Sequence, residues 1–294
     1  MQQPTPGNPP EAKNAPAGAG KTSDFRARLI SAIVLLPLSI GALLTGQLPF
    51  AVFVAVASTL VIREWVRMVN VTQSVPAVVA GTAAVWLAMT AIFVNWTSLA
   101  FGVLAAGALI VAALAPLRRV WAGAGVFYAG LPALGLVHLR GLEHGLAAVI
   151  FILVAVWSTD IGAYLGGRAI GGPKLWPAVS PKKTWAGFFS GLVAAAVGCL
   201  IVVTVAGAAA TYGAGISAAL ALAIVLSLVG QFGDLFESYM KRHYGVKDSG
   251  TLIPGHGGAM DRLDSIIFAA SLAALLAIAA GLPRVFAPFS WSMS

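Results

Sequence analysis

The chain is poor in charged residues and holds a single cysteine. Asp, Glu, Lys and Arg make up 10% of its 294 residues, and 59% of the residues are hydrophobic. Because soluble domains carry about 25% charged residues, this composition excludes an ordinary soluble protein and predicts an integral membrane protein. The one cysteine, Cys199, lies inside an apolar run, so an internal disulfide is excluded and we expect a small packing residue.

The N-terminal segment lacks the apolar stretch of a secretory signal peptide. Residues 1–24 are rich in Pro, Gly, Ala and polar residues, and no apolar run begins before Arg28. Such a composition buries too little apolar surface to fold. We therefore expect residues 1–24 to form a disordered cytosolic tail.

Apolar runs dominate the rest of the chain, each near the roughly 20 residues that a helix needs to cross a bilayer. They lie near 27–45, 48–69, 75–93, 98–117, 120–139, 146–167, 185–207, 215–235 and 264–282. The pattern predicts an all-α polytopic membrane protein with about nine transmembrane helices. Only Gly46 and Gln47 separate the first two runs, and two long cytosolic loops, about 168–184 and 236–263, fall in the C-terminal half.

These features divide the chain into four parts. They are the cytosolic tail (1–24), helices one to five (25–144), a catalytic region with helices six to nine and their loops (145–284), and a short C-terminal tail (285–294).

The few charges are distributed unevenly. If the N-terminus is cytosolic, all but two of the 18 Lys and Arg residues fall on the cytosolic side, the exceptions being Arg140 and Arg284. This is a strong positive-inside bias. The net charge of +8 therefore reflects membrane topology and anionic lipid, and nucleic acid is not an expected partner.

The absence of a convincing internal repeat argues against a transporter built from inverted repeats.

Acidic residues occupy the predicted cytosolic ends of three helices. Asp160 lies late in the sixth run. Asp234 and Glu237 close the eighth, three residues apart on one helical face. Asp261 and Asp264 open the ninth with the same spacing. Each acid alone fits a helix cap or an ion-pair partner. Together they indicate a site for a divalent cation and phosphates, because Mg²⁺ takes few carboxylates and completes its shell with phosphate oxygens and water.

The first long loop ends in a lysine-rich segment. The run from Ser180 to Trp185 predicts the start of the seventh helix, with Ser180 as N-cap and Pro181 at the first helical position. The free N–H groups of that helix start, with Lys182 and Lys183, would then face an anion. Ordinary positive-inside anchoring beside an interfacial tryptophan is the alternative.

The second long loop concentrates charge and glycine. Between residues 238 and 264 it holds Lys241, Arg242, Lys247, Asp248, Asp261, Arg262 and Asp264. Cations suit phosphates, and Gly255, Gly257 and Gly258 are suited to an anion-binding backbone turn. His256 fits either a phosphate donor or a structural histidine.

The segment 238–264 resembles the signature of the phosphatidate cytidylyltransferases (CDP-diacylglycerol synthases). The matching residues are Ser238, Met240, Lys241, Arg242, Lys247, Asp248, His256, Gly257, Gly258, Asp261, Arg262, Leu263 and Asp264. Ala259 departs mildly, since a larger apolar residue is usual there. The segments 157–160 and 180–185 are similar to further motifs of this family, but Ala186 stands where glutamate is expected and no role is carried over to it. The specific resemblance covers about residues 157–264, and the first five runs match in hydropathy alone.

The resemblance implies an all-helical homodimeric membrane enzyme that joins CTP and phosphatidate into CDP-diacylglycerol and pyrophosphate. It implies a bacterial plasma (inner) membrane location, with the N-terminus and active site in the cytosol. Mg²⁺ is the implied cofactor, and a second cation would complete a two-metal clamp. The lipid phosphate would attack the α-phosphorus of CTP, so that positioning and charge neutralisation dominate.

The residue roles are hypotheses that combine the placement of the acids and cations with this resemblance. The expected metal ligands are Asp234 and Asp261, with Asp264 and Asp160 in second rank. The expected catalytic residues are Asp234, Asp261, Lys241, Arg242, Lys247, His256 and Arg262. The expected substrate-binding residues are Ser180, Lys182, Lys183, Thr184, Gly257, Gly258 and Asp248.

Other functions share some of these features. A lipid kinase, or a cytidylyltransferase for another lipid phosphate such as an archaeal ether lipid, would have a similar architecture, but the diacylglycerol-type signature argues against both. An ion-coupled transporter would place Asp160 and Asp234 near the middle of the membrane on broken helices. Here the acids cluster at predicted cytosolic helix ends beside long polar loops, which favours an enzyme.

Overall fold

The computed structural model describes residues 33–205, 213–250 and 257–279. In these ranges the chain forms nine helices and one two-stranded sheet. In chain order the elements are α1 Ile33–Thr45, α2 Gln47–Met68, α3 Ser74–Phe93, α4 Thr97–Ala113, α5 Arg119–Gly141, α6 Gly145–Ile170, β1 Lys174–Trp176, β2 Ser180–Thr184, α7 Trp185–Val205, α8 Gly213–His243 and α9 Met260–Ala279. The helices follow the predicted apolar runs in order, which confirms the all-α class for this part of the chain. The predicted tails, 1–24 and 285–294, lie outside it.

Six of the described helices are long and apolar enough to cross a membrane: α2, α3, α5, α6, α7 and the part of α8 from Ile216 to His243. Helices α1 and α4 are apolar but shorter. Helices suit lipid because all their backbone groups bond within the segment. The chain is therefore a helical membrane protein, and the number of nine crossings stays a prediction.

Local sequence explains where several helices end. Asn70 after α2 and Asn95 after α3 have φ angles of 55° and 64°, a left-handed conformation that Asn tolerates better than most residues. Helix α6 stops at Gly171 and Gly172, with φ angles of 69° and 90°, directly before Pro173. Glycine followed by proline is a common helix stop. Each stop reverses the chain, so that the next helix packs against the one before.

The segment after α6 is a β-hairpin, whereas the sequence predicted a helix start there. Strands β1 and β2 pair antiparallel. Helix α7 begins only at Trp185, whose N–H donates to the carbonyl of Pro173 at 3.1 Å. The prediction of Ser180 as N-cap is wrong; Thr184 takes that place, and its hydroxyl accepts the N–H of Gly187 at 3.1 Å. Pairing with β1 satisfies backbone groups that an earlier helix start would leave open.

Helix α8 continues to His243, well past residue 235 where its apolar run ends. Its last turns stay helical although they are charged, because Glu237 and Lys241, four residues apart, form an ion pair. Basic residues at a helix C-terminus are also favourable. The predicted loop 236–263 is thus shorter than expected, and Asp234 lies within the helix and not at its end.

Small residues bring α6 and α7 together. A Cβ on Gly162 would collide with the Ala194 side chain, and one on Gly191 would lie 3.1 Å from the carbonyl oxygen of Thr159. Close backbone approach of this kind is a usual way to pack helices in lipid. Cys199 of α7 is fully buried, which confirms its prediction as a packing residue.

An aromatic cluster joins four helices beneath the polar end of the bundle. It consists of Trp65 of α2, Tyr128 of α5, Phe236 of α8 and Phe268 of α9. The rings of Trp65 and Tyr128 lie 4.6 Å apart, and those of Phe236 and Phe268 lie 5.4 Å apart. Offset and tilted ring contacts at these distances favour association beyond simple burial. The cluster therefore holds the N-terminal helices against α8 and α9.

Candidate active site

A carboxylate–lysine group, the Asp234 cluster, lies where α6, α8, α9 and the hairpin meet. It consists of Asp160, Lys183, Asp234 and Asp264. The Lys183 ammonium in β2 lies 2.5 Å from Asp234 Oδ2 in α8. Asp160 and Asp264 lie close enough to Asp234 and Lys183 to interact with both electrostatically. The structure thus brings together acids from three helices, as the sequence analysis expected.

Close helix contacts hold the Asp234 cluster in place. A Cβ on Gly233 would lie 2.7 Å from the carbonyl oxygen of Asp264, so only glycine allows α8 and α9 to approach there. The hydroxyl of Thr159, the neighbour of Asp160, lies 2.7 Å from that of Ser227 in α8. Each acid is therefore next to a residue that fixes the distance between its helix and α8 or α9.

A second group, the Asp261 cluster, surrounds the start of α9. It consists of Glu64, Glu237, Lys241, Ser249 and Asp261. Lys241 Nζ lies 2.5 Å from Glu237 Oε2 and 2.7 Å from Asp261 Oδ1. Asp261 Oδ2 accepts the N–H of Ser249 at 3.0 Å. The same oxygen also accepts the backbone N–H of Gly258 at 2.9 Å.

These hydrogen bonds set the charge state of Asp261. Burial would raise the pKa of its carboxyl, but the Lys241 ammonium and the Gly258 N–H, which both donate to it, lower the pKa to about 2. Asp261 is thus ionised at neutral pH, and both of its oxygens are engaged by the chain itself.

Glu64 of α2 is the residue that the sequence analysis missed. It is 1% exposed, and its two oxygens accept the N–H groups of Ala259 at 2.9 Å and Met260 at 2.8 Å. The Ser249 hydroxyl lies 3.0 Å from Glu64 Oε2 and 2.9 Å from Asp261 Oδ2, and it donates to one at a time. The Glu64 carboxylate therefore caps the N-terminus of α9, where negative charge is favourable.

The sequence does contain one indication that Glu64 is important: it is an acidic residue inside an apolar run. Arg63 and Arg67 flank it, so the segment looks like an ordinary positively charged helix end. An ionisable residue in a predicted span is nevertheless a functional candidate by default. Applied to the second run, that rule would have selected Glu64.

The glycine turn before α9 binds carboxylates of the chain. Gly257 has a φ angle of 86°, a conformation that favours glycine. A Cβ on Gly258 would lie 2.5 Å from Glu64 Oε2 and would collide with the Ser249 hydroxyl. The sequence predicted an anion-binding turn here, and the anions that it contacts in the described residues are Glu64 and Asp261.

The other predicted residues lie around these clusters. Lys182, Arg242, Lys247, Asp248 and Arg262 are exposed. Ser180 is half-buried on β2, and Thr184 is buried as the cap of α7. His256 lies outside the described residues, so its role stays a prediction. Of the acids, Glu64 and Glu237 are buried, Asp234, Asp261 and Asp264 are half-buried, and Asp160 is exposed. The exposed cations are suited to binding phosphates.

Comparison with known proteins identifies the family. The model of the Cytidylyltransferase family matches residues 26–279. The chain belongs to this family. A phosphatidate cytidylyltransferase of Brucella suis biovar 1 (strain 1330) is 40% identical over 255 residues, which cover 85% of this chain and 92% of the relative. One from Staphylococcus epidermidis is 32% identical over 265 residues, which cover 86% of this chain and 99% of the relative.

Membership in the cytidylyltransferase family makes the chain a nucleotidyltransferase, as the motif resemblance implied. The match begins at residue 26, so it also includes the helices before residues 157–264, the segment that carries the specific motifs. Glu64 supplies a physical reason, because a residue of α2 holds the start of α9. Helix α2 of this cytidylyltransferase therefore contributes a residue to the candidate site.

The carboxylates of the cytidylyltransferase fit a metal ion that takes only part of its ligands from the protein. Within the described ranges, no group of three or more His, Cys, Asp or Glu side chains is close enough to hold one alone. Mg²⁺ needs only one or two carboxylates when phosphates and water complete its shell. In the Asp234 cluster, Asp160, Asp234 and Asp264 face one lysine, and this excess negative charge suits such an ion. The oxygens of Asp234 also have partners, Lys183 and the Ser238 hydroxyl. Asp261 differs because it accepts the backbone N–H groups of Ser249 and Gly258, contacts that suit a role in positioning the turn before α9.

Proposed function

We propose that this cytidylyltransferase transfers the cytidylyl group of CTP to phosphatidate, giving CDP-diacylglycerol and pyrophosphate. One observation carries the proposal: proteins named phosphatidate cytidylyltransferase resemble this chain over most of its length. The family match, residues 26–279, includes both charged clusters. The clusters lie at the polar end of an apolar bundle. Such a site is open to a soluble nucleotide on one side and to a lipid phosphate from the bilayer on the other.

Asp234 and Asp264 are the residues that we assign to Mg²⁺, with Asp160 beside them. Bound there, the ion would neutralise negative charge on the reacting phosphates, and a second cation would extend this to the leaving group. Lys183, paired with Asp234, is placed to contact a phosphate when the nucleotide arrives. Asp261 was expected as a ligand beside Asp234, and its engaged oxygens favour the ordering of the glycine turn instead.

The reaction needs little covalent work from the chain. An oxygen of the lipid phosphate forms a bond to the α-phosphorus of CTP. The bond from that phosphorus to the oxygen bridging it to the β-phosphate breaks, and pyrophosphate leaves with the electron pair. A phosphate monoester carries about −1.5 to −2 charges at pH 7, so it is already nucleophilic. The chain has to position the two substrates and to neutralise the charge on their phosphates. The cations that we assign to these two tasks are Lys182, Lys183, Lys241, Arg242, Lys247 and Arg262.

The proposal includes location and assembly. We place the protein in the plasma membrane of a bacterium, with the N-terminus and both clusters in the cytosol, where CTP is available. The bacterial relatives support the location, and the positive-inside distribution supports the orientation. Nine crossings and a homodimer complete the proposal. The mass of the protein in a detergent micelle, measured by light scattering, tests the dimer.

The first experiment supplies purified protein in detergent with phosphatidate and radiolabelled CTP, with and without Mg²⁺. We expect lipid-extractable cytidine label that requires both phosphatidate and Mg²⁺. Transfer of the label to a different lipid phosphate, with none to phosphatidate, would show that phosphatidate is not the acceptor.

A matched pair of variants tests the metal assignment in the same assay. Asp234→Asn should lower turnover about a hundredfold or more and raise the Mg²⁺ concentration for half-maximal rate, because one ligand charge is lost. Glu143→Gln removes an exposed carboxylate in the turn between α5 and α6 and should behave as the unmodified protein. Normal turnover and unchanged Mg²⁺ dependence in Asp234→Asn would contradict the assignment.

A further inference from the structure

A cavity of about 1090 Å³ lies between α1 and the helices α2, α5, α6 and α9. Its wall is almost wholly aliphatic and aromatic, with residues such as Leu38, Phe53 and Leu153. Among the described residues that line it, Arg262 is the one with a charged side chain. Apolar cavities of this size and composition bind apolar ligand parts, and a single polar group at one end fixes their orientation.

The cavity runs along the bundle and ends at the site. On α2 its wall extends from Leu48 to Val61, which is about 20 Å at 1.5 Å per residue. An acyl chain in one leaflet spans half of the hydrocarbon core, or roughly 15 Å. At the other end Arg262 stands in the first turn of α9, adjacent in sequence to Asp261 and two residues before Asp264. The cavity therefore has the length of an acyl chain and leads to the carboxylate clusters.

Helix α1 forms the outer wall of the cavity. Its C-terminal end is fixed, since Leu43 is 4% exposed and its carbonyl accepts the Arg140 Nε–H at 3.0 Å. Most of the helix is otherwise exposed: Ile33, Leu36 and Leu44 are 61%, 51% and 57% exposed. A wall helix with so few buried side chains leaves a lateral way in from the lipid phase.

We propose that this cavity binds the acyl chains of the phosphatidate substrate, with the lipid phosphate at the Arg262 end. The inference rests on the proposed function and adds where the lipid lies. The charge pattern selects the occupant: a long apolar body with one anionic head matches an apolar cavity with one cation beside the site. CTP has no apolar part that would fill it. An apolar helix of a second copy would not account for an arginine at the cavity end.

The test narrows the cavity and compares substrates of different chain length. Ala57 of α2 lines the cavity, and Ala57→Leu and Ala57→Phe fill it in two steps. Ala83→Phe makes the same change on an exposed face of α3 that does not line it. Turnover is measured with oleoyl and with hexanoyl phosphatidate. Each CH₂ excluded from an apolar site is worth about fourfold in binding.

We expect the ratio of oleoyl to hexanoyl turnover to fall about tenfold or more in Ala57→Phe and less in Ala57→Leu, with the unmodified ratio kept in Ala83→Phe. An Ala57→Phe ratio within twofold of the unmodified protein, in protein active on phosphatidate, would overturn the inference alone. Inactivity of the unmodified protein on both lipids would instead overturn the proposed function.

A binding measurement keeps the inference testable without turnover. A phosphatidate with a photoactivatable group at the end of its acyl chain is cross-linked to the protein, and the adducts are mapped by mass spectrometry. Adducts should concentrate on the cavity faces of α1, α2 and α9. Adducts spread evenly over lipid-facing helices such as α3 and α4 would refute the acyl-chain site.

Discussion

The substitution Glu64→Gln tests how the N-terminal helices support the site. The carboxylate of Glu64 accepts two backbone N–H groups, from Ala259 and Met260, and lies within hydrogen-bonding distance of the Ser249 hydroxyl. Glutamine has the same shape, but one of its two terminal atoms is a donor. Whichever way the amide turns, its NH₂ group faces at least one N–H that needs an acceptor.

The magnitude follows from these contacts. Loss of one hydrogen bond to a charged group costs about 2 kcal/mol, and the remaining bonds weaken by about half when the charge is removed. Together this is about 4 kcal/mol, which raises the opened population of the glycine turn several hundredfold. Because Gly258 also donates to Asp261, an open turn releases that carboxylate from its place beside Lys241. Turnover should fall as the closed fraction falls, by up to about a hundredfold if the opened form comes to dominate.

Hydrogen exchange of the amides at positions 257–260, measured by mass spectrometry, reports this opening directly. Exchange in Glu64→Gln should be accelerated about a hundredfold or more, whereas Glu64→Asp, which keeps the charge on a shorter side chain, should give an intermediate effect. Glu143→Gln provides the same chemical change at an exposed position. Exchange within fivefold and turnover within twofold of the unmodified protein in Glu64→Gln would refute the argument.

Two further predictions follow from close contacts. Gly258→Ala should reduce turnover about tenfold or more, because its methyl group would displace Ser249 and Glu64. The matched control is Gly102→Ala on α4, where a Cβ meets nothing within 4 Å. Equal activity of the two variants would contradict the steric argument. Lys183→Met should raise the apparent KM for CTP about tenfold, because Lys183 pairs with Asp234 at the cluster, while Lys182→Met on the exposed side of the strand should have a smaller effect. Steady-state kinetics at saturating phosphatidate give the KM for CTP of both lysine variants. A larger effect of Lys182→Met would assign the phosphate contact to Lys182 and not to Lys183.

The helices were predictable because their cause is local. A run of about 20 apolar residues has one stable form in lipid, since only a helix satisfies its own backbone groups. The break at Gly46 and the stop at Gly171 and Gly172 are also local, because few residues other than glycine adopt the required φ angles. The hairpin at 174–184 was missed because strand pairing depends on contacts between separate segments, and Ser180-Pro181 fits a helix start equally well in sequence.

The candidate site was predictable as a set of residues but not as a set of contacts. Motif spacing selected Asp160, Asp234, Asp261 and Asp264, and the structure does bring their helices together. Spacing does not show that the role of Asp261 differs from that of the other three acids. The role depends on which groups donate to its oxygens, and two of these donors, Lys241 and Ser249, lie 20 and 12 residues away in the chain.

By itself the sequence determined that the chain is a helical membrane protein, that most of its charges fall outside the apolar runs, and which family its motifs resemble. Hydropathy and spacing are properties of neighbouring residues, and they need no knowledge of the fold. Only the tertiary structure decided that Glu64 caps α9 from 195 residues away, and that an apolar cavity leads to Arg262. Both depend on helices that meet through side-chain packing, and packing between distant segments is not encoded in any one of them.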